Sequence, residues 1–463
     1  MVFSSLVFLF VYLPVVLAVY WLVPVRFRNG WLFFVNLIFY GWGEPVYILL
    51  MLFTITVNYL SGRGIAKYRT ENLVRAKAIL AINSVISLSL LVFFKYFDLF
   101  ARTISQIPGL YVPALGLTLP IGISFYTFQC MSYPIDVFRG DTDVQKSYIR
   151  FGTYVALFPQ LIAGPIVRYK DIADQLEKRP YTLESFALGV ERFTVGLAKK
   201  VLIANNIGAL WDYYASAGTR TTAGAWLGAI AFSLQLYFDF SGYSDMAIGL
   251  GHMLGFTFLE NFNYPYISRS VTEFWRRWHI SLGTWFRDYL YIPLGGNRKG
   301  LPRQVWNILI VWALTGFWHG ANWTFLLWGL YYAFFLIMEK LFLFKPLQRI
   351  PVLGHIYTLL VAVSGWMLFQ LDSVRKVIDY WKAMYGFGGA GFLSKTDLFM
   401  GRSYLLVLLV AILASTPLLK NLYHKIPEKV RRVSTPILIL LVLITSTAYL
   451  VDATYNPFLY FRF

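Results

Sequence analysis

The stretch TGFWHGANWTFLLWG, residues 315–329, sets one imidazole, His319, inside a run that otherwise reads as membrane interior. Trp318 and Trp323 bracket it, and Asn322 follows three residues later. Leucine would fill the same span without any cost of desolvation. A polar ring in hydrocarbon needs a compensating role and marks a functional site. From this span alone, His319 reads as readily as a packed structural ring as a catalytic one.

Working outward, the rest of the chain supports the membrane reading. Its 463 residues are 58% hydrophobic and 14% charged, whereas a soluble domain averages about 25% charged. It lacks the polar surface needed to cover itself in water. Apolar runs of about 20 residues recur along its length, each sufficient for a bilayer-spanning helix. The expected class is an all-α polytopic membrane protein of roughly 11–13 transmembrane or re-entrant helices. Several of these are interrupted by Gly and Pro, as in LFPQLIAGPIVRY at 157–169. Broken helices at membrane depth survive only where protein or a cavity satisfies the freed backbone.

The first 24 residues lack a basic n-region and a small-residue cleavage site, so they are expected to form a retained first transmembrane helix. Arg26 and Arg28 follow that span, and Arg63, Lys67, Arg69, Arg75 and Lys77 follow the third. The positive-inside rule makes both loops cytoplasmic and puts the N-terminus outside. A net charge of +18 fits this bias and attraction to anionic lipid, with a polyphosphorylated cofactor as the other reading. No separate basic domain suggests nucleic-acid binding. A single cysteine, Cys130, excludes an internal disulfide and a cysteine metal cluster. The five histidines lack paired ligand spacing, so no metal is expected. The whole of 1–463 reads as one membrane domain.

Residues 239–300 are too polar to span lipid and too apolar for an ordinary loop. From Phe274, apolar residues recur at Trp278, Leu282, Trp285 and Tyr289, which predicts an amphipathic helix at the interface or over a cavity mouth. On that helix His279 aligns with Trp275, Leu282 and Phe286. Asp239 and Ser241, in DFSGYSD, read more simply as helix-start caps than as partners of His319 in a Ser-His-Asp triad.

The runs DFSGYSDMAIGLG, ENFNYPYISRSVTEFWRRWHISLGTWFRDYLYIPLGGNR and FWHGANWTFLLWG occur in that order. With LPIGISFYTFQCMSYPIDVFRGD (119–141) and FPQLIAGPIVRYKDIADQ (158–175), they resemble the membrane-bound O-acyltransferase (MBOAT) family, and its alginate O-acetylation branch in particular. The resemblance covers nearly the first 340 residues; from about 341 to 450 it extends only to hydropathy. It implies a ring of helices thinned at the centre, with a funnel on each membrane face. It also implies acyl transfer from a cytosolic donor, acetyl-CoA, to an extracytoplasmic acceptor, with no bound cofactor. His319, in the helical region 301–344, matches the family's catalytic histidine, and His279 matches a second, supporting position.

The chemistry is consistent with these residues. A thioester is already activated, and the acceptor hydroxyl needs a base as it attacks. A positioned histidine contributes about 10²–10⁴-fold in such a step, and burial disfavours the imidazolium, which keeps an embedded ring able to accept a proton. Asn322, at i+3, would share the face of His319 on a helix and either hold its ring or donate to the oxyanion. Trp318 and Trp323 would wall a tunnel or anchor the interface. Candidate donor contacts are Arg276 and Arg277 on the polar face, and Arg298 and Lys299 in LGGNRKG, with Lys199 and Lys200 as further basic candidates.

The tail at 455–463, YNPFLYFRF, reads as an aromatic anchor. It is also similar to the tail of bacterial acyl-relay systems, which implies Tyr460 as an acyl carrier. The resemblance further implies an extracytoplasmic SGNH-type transferase as partner, within a polysaccharide-synthesis complex at the bacterial cytoplasmic membrane. Other readings are a transporter or flippase of an acyl or lipid-linked species, and a non-catalytic scaffold of an export complex. Within the enzyme class, peptidoglycan or cellulose O-acetylation and D-alanyl transfer remain open.

Overall fold

The structure, a computed structural model, describes residues 1–179, 181–452 and 459. Among the described residues there are helices and connecting turns and no strands. This is the arrangement in which each spanning segment satisfies its own backbone hydrogen bonds. Among the described residues, five helices are long and apolar enough to cross a bilayer: Ile48–Glu71, Leu73–Ile104, Trp323–Arg349, Pro351–Gln370 and Glu428–Asp452. Lys395–Ser403 and Leu405–Ala414, bent by 59° at their break, would make a sixth.

This count is smaller than the number of hydropathic segments for a physical reason. Phe8–Leu22 is apolar but short. Thr222–Met253 is long, but Gln235, Asp239, Ser241, Ser244 and Asp245 are buried along it. Gly300–His319 carries Arg303, Gln304 and Asn307 in its first turns. Protein contacts, rather than lipid, must accommodate such side chains.

The chain divides into two compact units. One comprises Met1–Phe193 and Tyr243–Leu259. Its two longest helices, Ile48–Glu71 and Leu73–Ile104, are separated by a single residue, Asn72, whose side chain accepts the Arg75 N–H at 3.0 Å and caps the second helix. Between these helices Asn83 donates to the buried Asn58 side chain at 3.0 Å. A cluster of rings fills the same unit, with Phe3 and Phe8 at 4.9 Å and Phe39 and Phe158 at 5.4 Å between centroids.

The other unit comprises Thr194–Gly242 and Glu260–Phe463. At its centre is a helical hairpin, Gly300–His319 followed by Trp323–Met338. The two helices cross at Gly316 and Gly329. A Cβ on either glycine would lie 3.3 Å from the other's Cα and press on the Phe325 or Trp312 carbonyl. Small residues at a crossing let backbones approach and gain packing energy where lipid offers no hydrophobic drive. Pro351–Gln370 packs on this hairpin, and the Tyr331 hydroxyl donates to the Val361 carbonyl at 2.9 Å.

Candidate active site

Residues 271–291 do not form the single amphipathic helix that their spacing predicts. Val271–Arg277 and Ile280–Phe286 are separate helices, and a π turn, Arg287–Tyr291, follows. The break falls at Trp278, which is extended, and at His279, whose φ of 47° and ψ of 53° are left-handed. His279 therefore does not align with Trp275, Leu282 and Phe286 on a common face. A left-handed conformation costs a non-glycine residue about 1–3 kcal/mol and persists where its surroundings hold it.

Asn261 supplies the hold. Its backbone carbonyl accepts the Ile280 N–H at 3.0 Å. Its side-chain Oδ1 lies 3.1 Å from His279 Nδ1, 3.2 Å from the Ser281 N–H and 2.9 Å from Ser281 Oγ. Asn261 and His279 are both buried. Burial pushes the His279 imidazole, which lies outside the apolar spanning helices, down to about 3, so the ring is neutral at physiological pH.

Upstream of the break, Ser270 and Glu339 hold the start of Val271–Arg277. Ser270 Oγ accepts the Glu273 N–H at 3.0 Å. The buried Glu339 carboxylate accepts the Val271 N–H at 2.5 Å, the Thr272 N–H at 2.9 Å and the Thr272 hydroxyl at 2.6 Å. An anion at a helix N-terminus satisfies donors that have no partner within the helix.

His319 is the last residue of Gly300–His319; Gly320 is extended, and Asn322 caps Trp323–Met338. A side chain at Gly320 would strike the Phe325 ring, which explains the glycine at the turn. The break corrects the expected i+3 helical pairing of His319 with Asn322. Asn322 Oδ1 accepts the Thr324 N–H at 3.1 Å, and its amide donates to the Asp372 carbonyl at 2.8 Å. These are the bonds of a cap.

Around the buried His319 ring stand Trp328 at 4.9 Å, Trp318 at 5.0 Å and Phe369 at 5.3 Å between centroids. The His279 ring is 6.4 Å away. Two histidines 40 positions apart in the sequence are thus brought into one aromatic cluster. Trp318 belongs to it, whereas Trp323 is 38% exposed and packs on Phe317.

A cavity of about 450 Å³ opens in the same unit. Its lining includes Arg276, Arg287, Arg298 and Lys340, with Tyr291 and Gln304, and contains no carboxylate. Gly295 and Gly296, at φ 106° and 55°, form the tight turn on its rim, and Asn307 Nδ2 donates to the Gly296 carbonyl at 2.8 Å. Of the expected donor contacts, Arg276 and Arg298 face this cavity. Arg277 instead pairs with Glu273 at 2.9 Å and donates to the Asn263 carbonyl at 3.1 Å. Lys299 precedes the Gly300–His319 helix and folds its stem beside Gly295. Lys200, a further basic candidate, is buried and ion-paired with Asp239.

Asp239 and Ser241 lie in the interior of Thr222–Met253 and are not caps. The Asp239 carboxylate also accepts the Leu459 N–H at 2.9 Å. Tyr460 lies outside the described residues. No three His, Cys, Asp or Glu side chains converge as a metal site among the described residues.

Comparison with known proteins supplies the family. The model of the membrane-bound O-acyltransferase family matches residues 142–375, which contain both histidines and the cavity. The chain belongs to the membrane-bound O-acyltransferase family. This O-acyltransferase is 42% identical over 492 aligned residues, covering all of both chains, to a Pseudomonas putida protein named "Probable alginate O-acetylase AlgI". It is 45% identical to the protein of that name from Pseudomonas aeruginosa, over 84% of this chain and 75% of that one. A peptidoglycan O-acetyltransferase from Helicobacter pylori is 31% identical over 84% of this chain and 80% of its own. The full-length match also takes in the region beyond residue 340, where the resemblance rested on hydropathy. The chain is a multi-pass membrane O-acyltransferase.

The structure adds Asn261, Arg287, Glu339, Lys340, Trp328 and Phe369 to the residues that the sequence pointed to. Trp328 lies within the quoted stretch itself, nine positions beyond His319, and Glu339–Lys340 is a charged pair closing an apolar run. Both were signals available in the sequence.

Proposed function

We propose that the chain transfers acetyl from cytosolic acetyl-CoA to an extracytoplasmic acceptor or partner protein, with His319 as the general base. The observation that carries this reading is the meeting of His319 and His279, at 6.4 Å between ring centroids, with Trp318, Trp328 and Phe369 packed around His319. As the acceptor hydroxyl oxygen attacks the thioester carbonyl, its proton passes to the His319 imidazole. The tetrahedral intermediate then collapses, the C–S bond breaks, and the imidazolium protonates the leaving thiolate. The products are an acetyl ester and a free thiol. General-base help of this kind is worth about 10²–10⁴-fold. His279 has the supporting place. The cations of the 450 Å³ cavity suit the donor's phosphates, to which arginine forks bind as charge-assisted pairs.

Relatives at 42% and 45% identity, named for alginate O-acetylation, support alginate or a related exopolysaccharide as the final acceptor. An SGNH-type transferase outside the cytoplasmic membrane would complete the transfer, and the N-terminus would lie on that outer side. Tyr460 as an intermediate carrier rests on the tail sequence alone.

Liposomes carrying the purified protein and acetyl-labelled CoA test this reading. The expected result is thioester cleavage and acetyl-ester formation that depend on His319, with no movement of intact donor. Transport of intact thioester, or neither cleavage nor transport, would overturn it. Consumption of a D-alanyl carrier in place of acetyl-CoA would reassign the donor.

A further inference from the structure

We propose that Asn261 is a positioning residue for the transfer: its side-chain carbonyl fixes His279 as the Nδ1–H tautomer and leaves the lone pair on Nε2. This rests on the enzyme reading above.

The assignment follows from one unambiguous donor. The Ser281 backbone N–H points at the terminal atom of the Asn261 side chain at 3.2 Å, and an N–H has nothing to accept with. That terminal atom is therefore the amide oxygen, which fixes which way the amide faces. The same oxygen lies 3.1 Å from His279 Nδ1. An amide oxygen accepts and never donates, so the proton between them belongs to Nδ1. A neutral imidazole carries one N–H, and Nε2 is then the acceptor nitrogen.

Asn261 thus holds the kink through both of its carbonyls. The backbone oxygen takes the Ile280 N–H at 3.0 Å, and the side-chain oxygen takes the donors of His279 and Ser281. It is fully buried, where water cannot substitute for it. In the transfer, His279 accordingly serves by receiving a hydrogen bond, and not by donating one to the developing oxyanion.

The chain has five histidines, so ¹⁵N-histidine labelling of the full protein in nanodiscs resolves the tautomer directly. His279→Asn identifies the resonance by its loss. The wild-type protein should show Nδ1 protonated and Nε2 bare. Asn261→Ala should admit the other tautomer and slow acetyl transfer by at least about ten-fold, within the roughly 10⁴-fold that a wrong tautomer costs a serine-protease triad. Asn261→Asp keeps an acceptor oxygen, and should restore the Nδ1–H signature and much of the lost rate. An Nε2–H signature in the wild type would overturn the proposal. So would a tautomer unchanged by Asn261→Ala, or an Asp variant no better than the Ala variant. The spectrum needs no turnover. A wild-type protein that shows the expected tautomer but transfers no acetyl would sink the enzyme reading and leave the tautomer assignment standing.

Discussion

His279 and His319 both stand where a helix stops, but the two stops are held by different forces. At His279 the backbone is left-handed, and hydrogen bonds accepted by the two Asn261 carbonyl oxygens hold it there. At His319 the chain turns through Gly320 into a helix capped by Asn322, and three aromatic rings wall the imidazole. Hydrogen bonds fix orientation and tautomer, whereas packing fixes position and excludes water. The proposed mechanism, with one ring oriented and another ready to take a proton, has use for both.

The largest effect that separates the two breaks is expected for His319→Ala. Acetyl transfer should fall by about 10²–10⁴-fold, with the donor KM unchanged because the cavity cations are intact. Next in size is Gly329→Val, which forces apart the helices that carry His319. Overpacking of this kind costs about 1–3 kcal/mol and should appear in thermal unfolding in detergent together with a slower rate. Arg276→Gln or Arg298→Gln should raise the donor KM by about ten-fold, the low end for a hydrogen bond to a charged group, and leave kcat alone. Arg277→Gln, whose partners are Glu273 and the Asn263 carbonyl, should not raise the KM. The smallest effect is expected for Asn322→Ala. Loss of the cap should cost about 1 kcal/mol of stability with little change in rate, since its amide is committed to Thr324 and Asp372.

The sequence carried the helical class, and it pointed to the two histidines that the structure brings together and to two of the four cations that line the cavity. Long apolar runs and a lone imidazole are local signals, although fewer of those runs become helices long and apolar enough to span. The two breaks were harder to read. The periodicity from Phe274 to Tyr289 is real, yet it continues across Trp278 and His279, where a contact from Asn261 bends the chain. Nothing local marks that contact, because the bending residue lies 18 positions away. Gly320 was a local warning that Asn322 would not share a helix with His319. Arg287 and Lys340 reach the cavity from separate elements, so their convergence is a property of the packing.

The most direct test is the single-turnover rate at saturating donor for His319→Ala, His279→Asn and the double variant in liposomes, each checked for correct insertion. The expected result is a His319→Ala protein as slow as the double variant and still able to bind donor, with His279→Asn retaining part of its rate. A His319→Ala protein that forms acetyl ester at the wild-type rate would contradict the assignment of that ring as the base.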